Sequence, residues 1–113
     1  MELGQDLFSK PFPMNVVDEN RHIFKDEFVE WLGNNLHVFA EFAKQARYVK
    51  NVMRRDHYSS RTIGEWLRHN SNLREKGDGF KLNNNYFPPL SRLIMLAYPE
   101  LDGMFEKRER QAQ

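Results

Sequence analysis

Large apolar residues recur at steps of three and four along most of the chain, and the polar breaks between those runs divide it into helices. Ile23, Phe24, Phe28, Trp31 and Leu32 make the first stripe, with Asp18 as the expected cap and Gly33-Asn34 as the stop. Asn35 restarts a longer helix, expected over residues 35–55, whose stripe is Leu36, Phe39, Phe42, Ala43, Ala46, Val49 and Met53. Lys44, Arg47, Lys50, Arg54 and Arg55 fall largely elsewhere on that cylinder, so one side reads as core and the rest as basic. After a break at 56–58, Ser59 offers its hydroxyl as cap to a helix over 59–71 that carries Ile63, Trp66 and Leu67, with Arg61 and Arg68 pointing elsewhere.

The remaining punctuation comes from glycine, asparagine and proline. Glu75-Lys76-Gly77-Asp78-Gly79 has the residues of a tight turn, and Phe80-Lys81-Leu82 after it reads as a brief extended piece. Asn83, Asn84 and Asn85 are candidate caps for a helix in which Pro88-Pro89 fits only the first turn, where amides lack helical partners anyway. Leu90, Leu93, Ile94 and Ala97 give that helix its buried stripe and Pro99 ends it. Residues 100–105 read as one more helical turn, docked by Leu101, Met104 and Phe105. The fold expected is mainly α: a small bundle of four to five helices, of helix-turn-helix or winged-helix character, with a short β-hairpin near the glycine turn. Residues 1–17, aperiodic and containing Lys10-Pro11-Phe12-Pro13, read as an extended arm that lays Leu7, Phe8 and Phe12 onto the body. Residues 18–106 are the single helical domain and 107–113 a frayed tail.

Composition narrows the function classes. With 113 residues, nine Phe, four Tyr and two Trp, the chain has room for one core and enough large apolar groups to build it. It has no Cys, which excludes disulfide scaffolds, thiolate metal sites and cysteine nucleophiles together. No apolar run approaches the roughly 20 residues of a membrane helix, and residues 1–10 lack the basic and apolar regions of a secretion signal, so a cytoplasmic protein without membrane contact is expected.

Charge changes the picture more. The net charge of +1 averages three unlike segments. Residues 1–43 hold three basic and eight acidic groups, giving −5; residues 44–92 hold eleven basic and four acidic, giving +7; the rest is −1. Local charge density is what attracts a phosphate backbone, so the basic middle is a candidate polyanion face, unless the oppositely charged ends neutralise each other on folding.

Catalytic chemistry is harder to find. His22, His37, His57 and His69 lack metal-site spacing, and the His37/Glu41 pair one helical turn apart has no third ligand. Ser59, Ser60, Ser71 and Ser91 sit in no nucleophile-elbow context, Gly77 and Gly79 lack the strand and Gly-Lys-Ser/Thr of a phosphate loop, and Glu27, Glu30 and Glu41 are better explained by ion pairing. The reading is therefore a non-enzyme with no cofactor and no metal.

The most specific constellation is a helix, tight turn, helix order followed by a helix opening near Asn84. In DNA-binding proteins of that kind the later helix enters the major groove N-terminus first, and asparagine there reads adenine while arginine and lysine hold phosphates. On this reading Arg54, Arg55, Arg61, Arg68, Lys76 and Lys81 contact the backbone of duplex DNA, and Asn84 with Asn85 read bases. The competing explanation makes the asparagines simple caps and places Tyr86 and Phe87 in the core.

The segment Phe80-Lys81-Leu82-Asn83-Asn84-Asn85-Tyr86, followed by Ser91-Arg92-Leu93, Met95, Pro99-Glu100-Leu101 and Phe105-Glu106, resembles a group of short phage and prophage proteins without assigned function. Asn35-Leu36-His37-Val38-Phe39 and Tyr58-Ser59 extend the likeness over roughly residues 23–108. The resemblance implies a phage-encoded protein acting in the host cytoplasm and carries no catalytic residues with it. It frames the alternative to DNA binding: a protein that inhibits or redirects a host protein, with Pro11-Phe12-Pro13 and exposed aromatics as anchors.

Overall fold

The structure, a computed structural model, describes residues 10–70 and 84–105. Five α-helices carry the described chain: α1 Met14–Glu19, α2 Asp26–Asn34, α3 Leu36–Asn51, α4 Ser60–Asn70 and α5 Phe87–Ala97. Three 3-10 turns join them, at Arg21–Ile23, Asn84–Tyr86 and Pro99–Leu101. The mainly helical class is as expected. The hairpin expected near the glycine turn falls on residues 71–83, outside the described residues. Among those described, β pairing is limited to an isolated parallel bridge between Tyr58 and Phe105, with the Tyr58 amide donating to the Met104 carbonyl at 3.0 Å.

Helix boundaries differ from expectation where a cap was misassigned. Asp18 lies inside α1, and α2 begins only at Asp26, whose carboxylate and that of Glu27 suit the positive end of the helix. The expected single helix from Asp18 is thus two, interrupted by the 3-10 turn, and Ile23 is exposed rather than in the core. Asn35 is the only non-helical residue between α2 and α3. It is buried, and its side-chain amide donates to the Trp31 carbonyl at 2.9 Å, so it satisfies the end of α2 rather than the start of α3. Ser59 does cap α4: its Oγ accepts from the Thr62 amide at 3.2 Å. Pro88 and Pro89 occupy the first turn of α5, and Pro99 opens the turn after it.

α5 is the helix around which the rest is arranged. It packs on α1, on α4 and on the 3-10 turns at both of its ends, and Phe87, Leu90, Ser91, Leu93, Ile94 and Met95 are all buried. α3 contributes Val38, Phe39, Phe42, Ala43, Ala46 and Val49 to the same core, and Leu101, Met104 and Phe105 close it from below. Phe42 is the aromatic hinge of the core, with its ring 5.8 Å from Phe87 and 6.2 Å from Phe105. Gly64 on α4 is required by this packing: a Cβ there would lie 2.2 Å from the Phe87 ring. The N-terminal arm is helical from Met14 onward, and Phe12 does lie on the body, edge-on to Phe39 and Tyr98 at 5.8 and 5.7 Å. Leu7 and Phe8 are outside the described residues.

Candidate functional site

The basic segment divides into cations engaged with neighbours and cations left at a corner. Lys50 pairs with Asp56 at 3.1 Å, Arg47 approaches Glu100 at 3.9 Å and lies over the Tyr98 ring, and Arg68 donates to Glu65 at 3.0 Å with its guanidinium 5.9 Å from the centre of Phe87. The acidic leading segment pairs within itself, through Lys10 with Asp18 and Arg21 with Asp26. Among the described ion pairs, none joins the basic middle to residues 18–41. Arg54, Arg55 and Arg61 are exposed around the connection from α3 to α4, with the Arg55 guanidinium also lying over the Tyr58 ring, 5.8 Å from its centre. That connection is longer than the expected break at 56–58, because α3 stops at Asn51, not at 55; Arg54 there adopts left-handed backbone, φ 60°.

The expected base-reading tip is built differently. Asn84 and Asn85 belong to the 3-10 turn before α5, and Tyr86 is stacked on Trp31, ring centroids 4.5 Å apart, with its hydroxyl donating to the Glu27 carboxylate at 3.2 Å. A carboxylate and an aromatic stack therefore sit beside the start of α5. Phe87 is buried, as the capping explanation required. Lys76 and Lys81 lie outside the described residues. His37 and Glu41 are on α3, and among the described residues no group of three or more His, Asp or Glu side chains could hold a metal. No described helix is long and apolar enough to cross a membrane.

What sequence reasoning missed is a groove of about 1090 Å³ along α3. Its floor is a second face of α3, made by Leu36, Ala40, Ala43, Arg47, Tyr48, Asn51 and Val52 at mostly helical steps of three and four. Phe12, Pro13 and Tyr98 form one wall; Tyr58, Ile63 and Trp66 form the other, with Tyr58 fixed by its bridge to Phe105. Five large apolar residues of this groove are strongly exposed: Val52 at 61%, Phe12 at 49%, Tyr48 at 48%, Trp66 at 45% and Met53 at 41%. Met53 and Trp66 were expected in the core. Period alone assigns them there, but Met53 lies beyond the end of α3 and Trp66 lines the groove with nearly half of its surface exposed. The signal available in the sequence was the surplus: Tyr48 and Val52 are apolar at positions the core stripe does not use.

The described lining includes two cations, Lys44 and Arg47, and no carboxylate. Small-molecule pockets run to roughly 300–1,000 Å³ and converge a few polar groups on a bound compound. This groove is at or above that upper end, runs along a helix and is floored by aliphatic and aromatic side chains, which is the chemistry of a polypeptide-binding surface. Comparison with protein-family models, with curated proteins and with solved structures returned no match to this chain.

Proposed function

We propose that this protein is a non-enzymatic docking module whose groove between α3 and α4 receives an apolar, acidic segment of another protein. The observation that carries the reading is the gathering of Tyr48, Val52, Met53 and Trp66, each more than two-fifths exposed, in one groove lined by cations and no carboxylate among its described residues. Isolated exposed apolar residues are ordinary; a contiguous set in a groove marks a contact surface. An amphipathic helix presenting apolar residues at i, i+4 and i+7 with Asp or Glu on its flanks matches both the shape and the charge. The resemblance to short phage proteins fits a role in which the partner is a host protein that is inhibited or redirected.

The test is selection of a random helical-peptide library on the folded protein. Enriched peptides are expected to share that apolar spacing and a net negative charge, and to shift the resonances of Ala40, Tyr48 and Val52. No enrichment, or peptides that perturb another face, would overturn the reading.

Duplex DNA is the second reading, favoured by the exposure of Arg54, Arg55 and Arg61 around one corner. It is weaker because α5, the helix assigned to the groove of the duplex, is packed on from both ends and buries six side chains. Electrophoretic titration decides it: phosphate contacts demand an affinity that falls steeply with salt and is lost in Arg54→Glu/Arg55→Glu/Arg61→Glu, whereas no retardation at low salt removes DNA as a ligand.

A further inference from the structure

We infer that Arg47 is the residue by which the groove selects its partner: its guanidinium receives one Asp or Glu side chain of the bound segment as a bidentate pair. This rests on the docking reading of the groove and adds the determinant of its specificity. Three observations converge on it. The first is unused donor capacity. A guanidinium carries five N–H donors in a planar fork that matches a carboxylate. Arg47 makes no hydrogen bond among the described residues: its nearest carboxylate, that of Glu100, stands 3.9 Å from Nε, beyond hydrogen-bond reach, and both side chains are about half exposed.

The second is a platform. The Arg47 guanidinium lies over the Tyr98 ring, 5.2 Å from its centre, and that ring is packed against Phe39 and Phe12 at 6.4 and 5.7 Å. A stacked guanidinium gives up less freedom on binding than an unsupported surface arginine, so more of the pair's free energy reaches the complex. The third is position. Arg47 is set against the Tyr98 wall, whereas the opposite wall, Tyr58, Thr62, Ile63 and Trp66, holds no cation. A helix lying in the groove therefore meets the fork on one flank only, and the residue it presents there is the one that is read. Lys44, the other lining cation, is a point charge on the same helix as Arg47, which attracts an anion without imposing a geometry. Glu100 stands outside the groove lining and offsets part of the Arg47 charge, so it competes with the incoming carboxylate.

The test is a double-mutant cycle on a library-selected helical peptide, synthesised with blocked ends so that its carboxylates are all side chains. Replacing each Asp by Asn and each Glu by Gln in turn is expected to find one position that costs about tenfold in affinity, mainly through faster dissociation. Against Arg47→Gln the same replacement should cost less than about twofold, and Arg47→Lys, which keeps the charge but not the fork, should recover only part of the lost affinity. Glu100→Gln should tighten the acidic peptide about two- to threefold and leave its neutralised form unchanged; if Arg47→Gln shifts the urea midpoint, this variant decides. The inference is overturned, with the docking reading left standing, if every carboxylate can be removed without loss, if the sensitive one costs as much against Arg47→Gln as against the wild-type chain, or if Arg47→Lys binds as tightly as the wild type. A library that yields no peptide for the groove would instead overturn the docking reading, and the inference with it.

Discussion

Two positions show how much single residues constrain this chain. Gly64 has no space for a side chain, because a methyl group there would overlap the buried ring of Phe87, which is itself packed against Phe42. Gly64→Ala should gain about 1 kcal/mol of helix propensity and lose more to overpacking, for a net destabilisation of about 1–2 kcal/mol in urea unfolding. Combining it with Phe87→Leu should recover part of the loss, since the two changes share one volume. Arg54 poses the opposite case. Its left-handed backbone costs an L-residue about 1–2 kcal/mol, so Arg54→Gly should leave stability unchanged or raise it by up to about 1 kcal/mol, whereas Arg54→Val should lower it. Thermal melts of the two variants order them directly.

At the scale of elements, the buried stripes of α3, α4 and α5 were legible because three- and four-residue spacing of Phe, Leu, Ile and Val leaves few alternatives. Caps were legible where one side chain did one thing, as at Ser59, and not where a residue served the preceding helix, as at Asn35. Asn35→Ala should therefore destabilise by about 1–3 kcal/mol, because it strips a buried carbonyl at the end of α2 of its donor; the exposed Asn34→Ala should stay within about 0.5 kcal/mol. The second face of α3 escaped the sequence reading for a related reason. An amphipathic helix is read by its strongest stripe, and Ala40, Tyr48 and Val52 are too few to form a period of their own. The tip at Asn84 and Asn85 was read for its residue types, which caps and base readers share. The stack of Tyr86 on Trp31 and its bond to Glu27 depend on pairing of residues 55 and 59 positions apart, which spacing does not encode.

For the whole molecule, the basic middle segment does not fold back on the acidic leading segment among the described ion pairs; part of it is held by Asp56, Glu65 and Glu100, and part stands around the α3–α4 corner. The cations that line the groove are thereby set beside its apolar floor, and an acidic amphipathic partner meets both at once. Charge should then govern the rate of encounter more than the strength of the complex: raising salt from 50 to 200 mM should slow association of a selected peptide while leaving its dissociation rate nearly unchanged. Stopped-flow measurement of both rates separates this from an apolar contact without steering. The most direct test of the docking surface itself is the dissociation constant of one such peptide for the wild-type protein and for Val52→Asp, whose side chain is 61% exposed and contributes little to the core. The expected result is weakening by about tenfold or more with an unchanged urea midpoint. Equal affinity of the two proteins would contradict the groove as the place where a partner binds.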